Sequence, residues 1–339
     1  FYRRNAGDVT AGADVRYGLT SDLTLTATLN PDFGQVEADP SEVNLTAFET
    51  QFAERRPFFS EGTDLFSFRM GTVGTARGEQ VFYSRRIGRS PQGQPGSAAF
   101  FDAPSSTTIL GAAKVSGKTA GGWTVGVLNA VTAQERARTW TEIGGDSSRV
   151  VEPMANYTVA RVSRNLRGGQ SAVGALVTSV LRDTDAGEGT DFLHRNALVA
   201  GVDARHRWGG GHYEVKGSVL ASRVQGSTAA LLRTQTASAR LFQRPDRRDC
   251  ALCMELDPER TSLSGAAATV DVTRIGGGHW RWNLTGAART QGFEMNDLGF
   301  QQQADAVAGF YRLDYVNDTP IGAFRNWSAG VNGGLAWTM

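Results

Sequence analysis

Residues 198–221 read LVAGVDARHRWGGGHYEVKGSVLA, two runs of alternating character on either side of three glycines. Such alternation is typical of β-strands, because successive side chains point to opposite faces of a sheet. The first run has one apolar and one charged face, with Leu198, Ala200, Val202, Ala204 and Trp208 opposite Asp203, Arg205 and Arg207. The stretch therefore predicts a β-hairpin with one face suited to lipid and one suited to water.

The same alternation recurs along most of the chain, in runs of up to about 13 residues, longer than the usual strand of about 5 to 6. We predict strands near 9–17, 23–29, 65–70, 81–87, 107–116, 122–132, 153–164, 170–182, 195–207, 212–223, 263–275, 279–291, 303–316 and 325–338. Aromatic residues gather at strand ends, namely Tyr17, Trp123, Trp208, Tyr213, Trp280, Trp327 and Trp337. Interfacial aromatic girdles of membrane barrels have this placement.

The lengths of the connections support the same interpretation. From residue 107 onward, short Gly-rich turns at 117–121, 165–169, 208–211 and 276–278 alternate with long segments at 133–152, 183–194, 224–262 and 292–302. Outer-membrane barrels pair short periplasmic turns with long outer loops, whereas a soluble β-sandwich, the alternative fold, has no reason for this rhythm.

The predicted fold class is therefore an all-β, antiparallel transmembrane β-barrel, one domain over residues 1–339, with about 14 strands and with more expected in the full protein. No stretch reaches the roughly 20 apolar residues of a membrane-spanning helix. Because no signal peptide precedes Phe1 and the first strand runs from the outer side, we expect a mature fragment that lacks an upstream strand.

Composition limits the partners. With 35 basic and 34 acidic residues, a net charge of +1 and a pI of about 8.0, the chain is not a nucleic-acid binder. The expected partners are the lipid bilayer of a bacterial outer membrane and a small polar solute, with the oligomeric state left open.

Residues 30–64 break the alternation and are strongly acidic. Ser41 would cap a short helix with Leu45, Phe48 and Phe52 on one face, ended by Pro57. The charged residues of this segment are Asp32, Glu37, Asp39, Glu42, Glu49, Glu54, Arg55, Arg56, Glu61 and Asp64. We predict a constriction segment folded into the barrel, whose carboxylates face lumen arginines such as Arg16, Arg205, Arg207 and Arg281. A solvated acidic loop is the alternative.

Two further features have plain structural interpretations. Cys250 and Cys253 lie in a long loop, where a small disulfide is favoured over half of a zinc site or a redox role. Residues 183–191 form an acidic Gly-rich loop that would hold calcium or, more simply, be solvated. No other metal or cofactor is expected.

No catalytic constellation is evident. The four histidines, His194, His206, His212 and His279, are scattered and lack metal-ligand spacing, and there is no nucleophile elbow. The sequence thus leans against an enzyme.

Several motifs nevertheless resemble one bacterial family. They are NPDFGQVEADP at 30–40, VNLTAFET at 43–50, ERRPFF at 54–59 with Glu61-Gly62, FYSRRIGR at 82–89, the run 107–118, FQRPD at 242–246 and NDLGF at 296–300. Together they are similar to the family called domain of unknown function 5916. Ser60, where the family has an aliphatic residue, and the Cys250/Cys253 pair depart from its pattern.

The resemblance implies an outer-membrane barrel preceded by a carbohydrate-binding, family-nine-like domain, absent here, and a label of membrane-associated hydrolase. It implies no catalytic residues. The sequence therefore predicts a channel or transport module for polar solutes, saccharides among them. The alternatives are a hydrolase acting with the absent domain and a barrel that anchors that domain.

Overall fold

The fold is all-β. The computed structural model of the chain describes residues 11–31, 49–71, 73, 78–94, 100–141, 145–184, 189–240, 242, 254–320, 322 and 324–338. We number strands and helices in chain order.

Twelve strands form one antiparallel sheet, the main sheet, in which each strand pairs with the next member along the chain. These are β1 (Ala13–Gly18), β2 (Leu23–Leu29), β4 (Ile109–Lys118), β5 (Trp123–Thr132), β8 (Ala155–Leu166), β9 (Ser171–Arg182), β10 (His194–Trp208), β11 (Tyr213–Gly226), β12 (Ser262–Arg274), β13 (Trp280–Arg289), β14 (Ala306–Asn317) and β15 (Trp327–Trp337). Strands β1 and β15 are its edges, and no ladder joins them among the described residues.

The predicted rhythm of connections is confirmed. Short links at 19–22, 119–122, 167–170, 209–212, 275–279 and 318–326 all lie at one end of the strands, here called the turn end. Long links at 30–108, 133–154, 183–193, 227–261 and 290–305 lie at the other, the loop end.

A smaller sheet and two helices belong to the long links. Strands β3 (Phe100–Asp102), β6 (Glu135–Thr141) and β7 (Gly145–Glu152) pair antiparallel in the order β3-β6-β7. Helix α1 (Pro57–Ser60) begins at a proline, which lacks the N–H that a first helical residue leaves unpaired anyway. Helix α2 (Thr228–Thr236) is capped by the Ser227 hydroxyl, which accepts from the Ala230 amide.

The two faces of the main sheet differ as the alternation predicts. On β10 and β11, Leu198, Val202 and Val219 are exposed on the outer face, while Val199 and Leu220 are buried on the inner face. The hydrophobic core therefore lies on the inner face, between the sheet and the chain that covers it, with Phe58, Phe66, Leu128 and Val159 in its largest cluster.

The interior segment, residues 49–94, provides much of that cover. On β4, the Lys114 ammonium donates to the Phe58 and Glu61 carbonyls, at 2.6 and 2.5 Å. The Arg161 guanidinium of β8 lies 5.1 Å from the centre of the Phe68 ring. The interior segment therefore contacts the inner face on successive strands.

Further along, the same segment contacts β12 and β13. Arg69 pairs with Asp271 at 2.8 Å, and the Gly71 amide donates to the Thr269 hydroxyl at 2.8 Å. The Gly71 carbonyl accepts from Arg289 at 2.7 Å. An extended residue advances about 3.3 Å, so residues 66–73 span about five strands at a spacing of about 4.8 Å. The chain crosses the strands instead of pairing with them.

This crossing corrects two predicted strands. Residues 65–70 alternate because Phe66, Phe68 and Met70 face the inner core, not because they join a ladder. Residues 81–87 also form no strand, since the Tyr83 amide donates to the Leu298 carbonyl and residues 84–86 form a 3-10 turn. Pro57 starts a helix instead of ending one, and no helix occupies 49–56; residues 32–48 of the predicted helical region lie outside the described residues.

The predicted aromatic residues lie on the outer face, nearly all of them at the turn end. Trp208 stacks on Tyr213 with ring centres 5.5 Å apart, and Tyr315 contacts Trp280 at 5.1 Å and Trp327 at 5.3 Å. Among the seven predicted residues, Trp337 alone lies at the loop end. No helix in the described part of the chain is both long and apolar enough to span a membrane.

A pair of glycines tests the packing of the inner face. A Cβ on Gly265 would lie 2.1 Å from the Phe293 amide nitrogen, whereas a Cβ on Gly309 would meet nothing within 4 Å. We expect Gly265→Ala to lower the free energy of unfolding by about 1–3 kcal/mol or more. Gly309→Ala should leave it unchanged or raise it by about 0.5–1 kcal/mol. Urea unfolding followed by tryptophan fluorescence measures both, and equal effects would contradict the close approach of 290–305 to β12.

Candidate functional site

The inner face carries charged side chains that form ion pairs with side chains of opposite charge. Arg161 on β8 pairs with Asp203 on β10 at 2.5 Å across β9, where a Cβ on Gly174 would clash with both side chains. Arg289 on β13 pairs with Glu79 of the interior segment at 2.5 Å. The inner face therefore carries paired charges between its apolar clusters.

The predicted constriction residues are placed as follows. Asp32, Glu37, Asp39 and Glu42 lie outside the described residues. Glu61 of the acidic segment pairs with Arg16 of β1 at 2.8 Å. Both side chains are about half exposed or more, so this pair contacts solvent.

Glu54 and Arg56 instead hold the interior segment together. The Arg56 guanidinium donates to both carboxylate oxygens of Glu54, at 2.8 and 2.7 Å, and to the Ile87 and Ser84 carbonyls. Burial alone would raise the pKa of Glu54, but the hydrogen bond and charge of Arg56, with the Ser84 hydroxyl, lower it. This ion pair is a packing element, while Arg55 and Asp64 are exposed.

The other predicted lumen arginines lie near the turn end and bond locally. Arg207 pairs with Glu214 at 2.5 Å, Arg205 donates to the Gly169 carbonyl at 3.2 Å, and Arg281 donates to the Gly278 carbonyl. Their observed partners come from neighbouring turns and strands, not from the acidic segment.

The loop end contains a cavity of about 240 Å³, the loop-end cavity. It lies between the interior segment, the start of β10, helix α2 and the β13–β14 link. Its charged lining residues are Glu49, Arg86, Arg89, His194, Arg233, Arg240, Glu294 and Asp297.

Asp297 bonds to two cationic side chains at the cavity. It accepts from Arg182 at 2.5 Å and from the Nδ1 of His194 at 2.8 Å. Burial alone would raise the pKa of Asp297, but the charges and hydrogen bonds of His194 and Arg182 together hold it well below its ordinary value. Asp297 is therefore ionised at neutral pH.

His194 has the neighbours of a catalytic base, because its Nε2 lies 2.8 Å from the Thr234 hydroxyl. However, that hydroxyl donates its single proton to the Ala230 carbonyl at 3.0 Å, so it accepts from His194. With Asp297 accepting at Nδ1, this arrangement places a proton on both ring nitrogens. The triplet is thus arranged as a charged clamp and not as an activated nucleophile.

Two further ion pairs complete the lining. Arg86 donates to both oxygens of Glu49 at 2.7 Å, and Arg240 pairs with Glu294 at 2.6 Å. Sequence reasoning missed this site, because its residues come from segments up to about 250 positions apart. The NDLGF and FYSRRIGR motifs, which contain Asp297, Arg86 and Arg89, were its only signal.

Most of the residues on which the cysteine and calcium predictions rest lie outside the described part of the chain. Cys250 and Cys253 lie outside the described residues, as do 185–188 of the acidic loop. Within the described ranges, no group of three or more His, Cys, Asp or Glu is arranged to hold a metal ion.

Comparison with known proteins gives one match. The model of the family described as domain of unknown function (DUF5916) matches residues 2–338, nearly the whole chain. No curated protein and no solved structure shows significant similarity to it.

The Asp297 clamp predicts a pH-dependent stability. Because the folded-state pKa of Asp297 is lowered, its contribution is complete above the unfolded value of about 3.8 and is lost as pH falls below it. We expect Asp297→Asn to lower the free energy of unfolding at pH 7 by about 3–5 kcal/mol. The difference from wild type should shrink by about 1.4 kcal/mol per pH unit below about pH 4.

The control is Asp257→Asn, because Asp257 is half exposed and lies 3.9 Å from Arg260. It should cost no more than about 1 kcal/mol. Urea titrations from pH 7 to 3 measure both variants, and a difference for Asp297→Asn that does not change with pH would contradict the clamp.

Proposed function

The chain belongs to the family described as domain of unknown function (DUF5916). Because this description names no function, we propose one from the geometry of the chain. The main sheet is the wall of a transmembrane β-barrel in a bacterial outer membrane. Its polar interior forms a channel or transport module for polar solutes, saccharides among them.

The observation that carries this proposal is the polarity of the main sheet. Apolar side chains such as Val202, Val219, Val270 and Leu284 are about half exposed on the outer face, while the buried inner face holds ion pairs. A soluble sheet would bury its apolar face. An exposed apolar face of this extent is more stable in contact with lipid than with water.

The dimensions agree with a bilayer. From Leu198 to Trp208 the outward residues of β10 cover ten positions, about 34 Å at about 3.4 Å per residue. At a barrel tilt of about 40°, this corresponds to a height of about 26 Å, close to the apolar band of about 25 Å in outer-membrane barrels. The aromatic residues of the turn end then lie at the periplasmic interface, and the loop end faces outward.

The interior segment fits the role of a constriction. It crosses the inner face from β4 to β13 and is anchored by ion pairs and carbonyl contacts. Such a segment narrows a lumen, and the Arg16–Glu61 pair gives it charges of both signs in contact with solvent.

Closure of the barrel predicts contact between the two edges. Strand β1 runs toward the turn end and β15 runs away from it, so the two edges have the directions that an antiparallel ladder between them requires. After replacing both native cysteines with serine, we expect Val15→Cys to form an intramolecular disulfide with a cysteine at one outward position of β15 between Ala329 and Leu335.

The matched control is Val15→Cys with Ala27→Cys, two positions that face each other in the β1–β2 ladder. Disulfides require Cα atoms about 4.4–6.8 Å apart, so gel mobility after oxidation reports adjacency. If the control pair links and no β15 position does, the edges are not neighbours.

Channel function predicts conductance in planar bilayers. Glu61→Gln leaves the positive charge of Arg16 without its carboxylate partner. The ratio of anion to cation permeability should therefore rise, by up to about fivefold if the ion pair contributes about 1 kcal/mol. Glu259→Gln, in the β11–β12 connection, is the control and should leave selectivity unchanged. Absence of conductance from the wild-type protein would sink the channel proposal and favour the anchor.

A further inference from the structure

Among the described residues, one arginine side chain of the loop-end cavity has neither a hydrogen-bonded partner, an ion pair nor a ring contact. Arg89 lines the cavity, and its Nε is buried without a hydrogen bond. Within the described part of the chain, its guanidinium makes no hydrogen bond and no ion pair. The Arg89 side chain as a whole is part-exposed, but its Nε is buried and no described residue supplies an anion to the guanidinium. An anionic ligand would therefore stabilise this charge.

The neighbouring carboxylates are already bonded to other groups. Glu49 accepts two hydrogen bonds from Arg86, and Glu294 pairs with Arg240. Behind the cavity, Glu152 accepts from the Gln92 amide at 2.9 Å and attracts Arg89 without bonding it. Arg89 could gain one of these described carboxylates only by breaking an existing interaction.

The charge balance of the cavity indicates the sign of the missing group. The guanidinium groups in and behind it belong to Arg86, Arg89, Arg182, Arg233 and Arg240, and the carboxylates to Glu49, Glu152, Glu294 and Asp297. Five arginines and the protonated His194 thus face four carboxylates, which leaves an excess of two positive charges. The missing group is therefore an anion.

We propose that the loop-end cavity binds a small monocarboxylate, whose two oxygens accept hydrogen bonds from the guanidinium of Arg89. The cavity is smaller than the roughly 300–1,000 Å³ of drug-sized pockets, which favours a small solute. A planar guanidinium matches a carboxylate in two parallel hydrogen bonds. This inference rests on the proposed function only in assigning that solute to the outer mouth of the channel.

The protonation state of Arg89 agrees with this role. Burial, followed by the charge of Arg86, lowers the pKa of Arg89 to about 10. The group is still charged at neutral pH, and a bound anion would offset both causes of the shift.

The test compares lactate with lactamide, which has nearly the same shape and no charge. Saturation-transfer NMR on the full chain in detergent micelles measures both, and phosphorus line broadening measures inorganic phosphate. The variant is Arg89→Gln. The matched control is Arg205→Gln, which removes another guanidinium whose Nε is buried without a hydrogen bond, near the turn end.

We expect lactate to bind wild type and Arg205→Gln within a factor of two, and Arg89→Gln at least tenfold more weakly. Lactamide and phosphate should bind more weakly than lactate. If Arg89→Gln does not fold, Arg89→Lys keeps the charge but loses the paired geometry, and should weaken lactate binding three- to tenfold. Unchanged lactate affinity in the folded variant, or lactamide or phosphate binding as tightly as lactate, overturns the proposal.

Conductance separates this inference from the proposed function. A protein that conducts but binds lactate without need of Arg89 retains the channel and loses the carboxylate site. A protein that binds lactate through Arg89 but does not conduct retains the site and loses the channel.

Discussion

A charged side chain can be buried only where another group replaces the water that it loses, and this constraint governs the inner face of the main sheet. Asp271 on β12 and Arg289 on β13 lie more than 190 positions away from their partners in the interior segment, Arg69 and Glu79. The segment is therefore a necessary part of the sheet. Without it, Asp271 and Arg289 would lose these partners.

The same constraint explains why the hydrophobic core is divided. Apolar clusters form where the interior segment and the long links press on the sheet, as Phe58 and Phe66 do near β4 and β5, and as Val73 does near β13 and β14. Between the clusters lie ion pairs such as Arg161–Asp203. Removing one member of a buried pair costs about 3–5 kcal/mol, so these pairs specify where the segment lies as strongly as the apolar contacts do.

Much of the sheet could be predicted from sequence, because alternation and connection length are local signals. The long strands from β4 to β15 were predicted within a few residues. Residues 65–70 were assigned wrongly because a chain that crosses a sheet alternates as well as one that joins it. Strands β6 and β7 were missed because 135–141 and 145–152 carry mostly polar residues and show no apolar face.

The site could be predicted less well, for a physical reason. The sequence named Arg16 and Glu61 only as members of two groups of opposite charge, and the structure shows that these two side chains pair. The loop-end cavity depends instead on which link folds over which, and Arg182, His194 and Asp297 meet only after β9, β10 and the β13–β14 link are in place. The alternation of apolar and polar residues does not indicate which links contact one another.

The two ends of the main sheet differ in the length of their links and in the charge that those links carry. At the turn end the links are short, and Arg205 and Arg281 bond to the carbonyls of adjacent turns, so this end has little chain with which to build a binding site. At the loop end, separate links converge on a cavity with more guanidinium groups than carboxylates. Attraction of an anion falls off over about 8 to 10 Å at physiological salt, so an excess of positive charge acts on solutes only near the surface where it lies. The excess positive charge of the loop-end cavity therefore attracts anions at the loop end and not at the turn end.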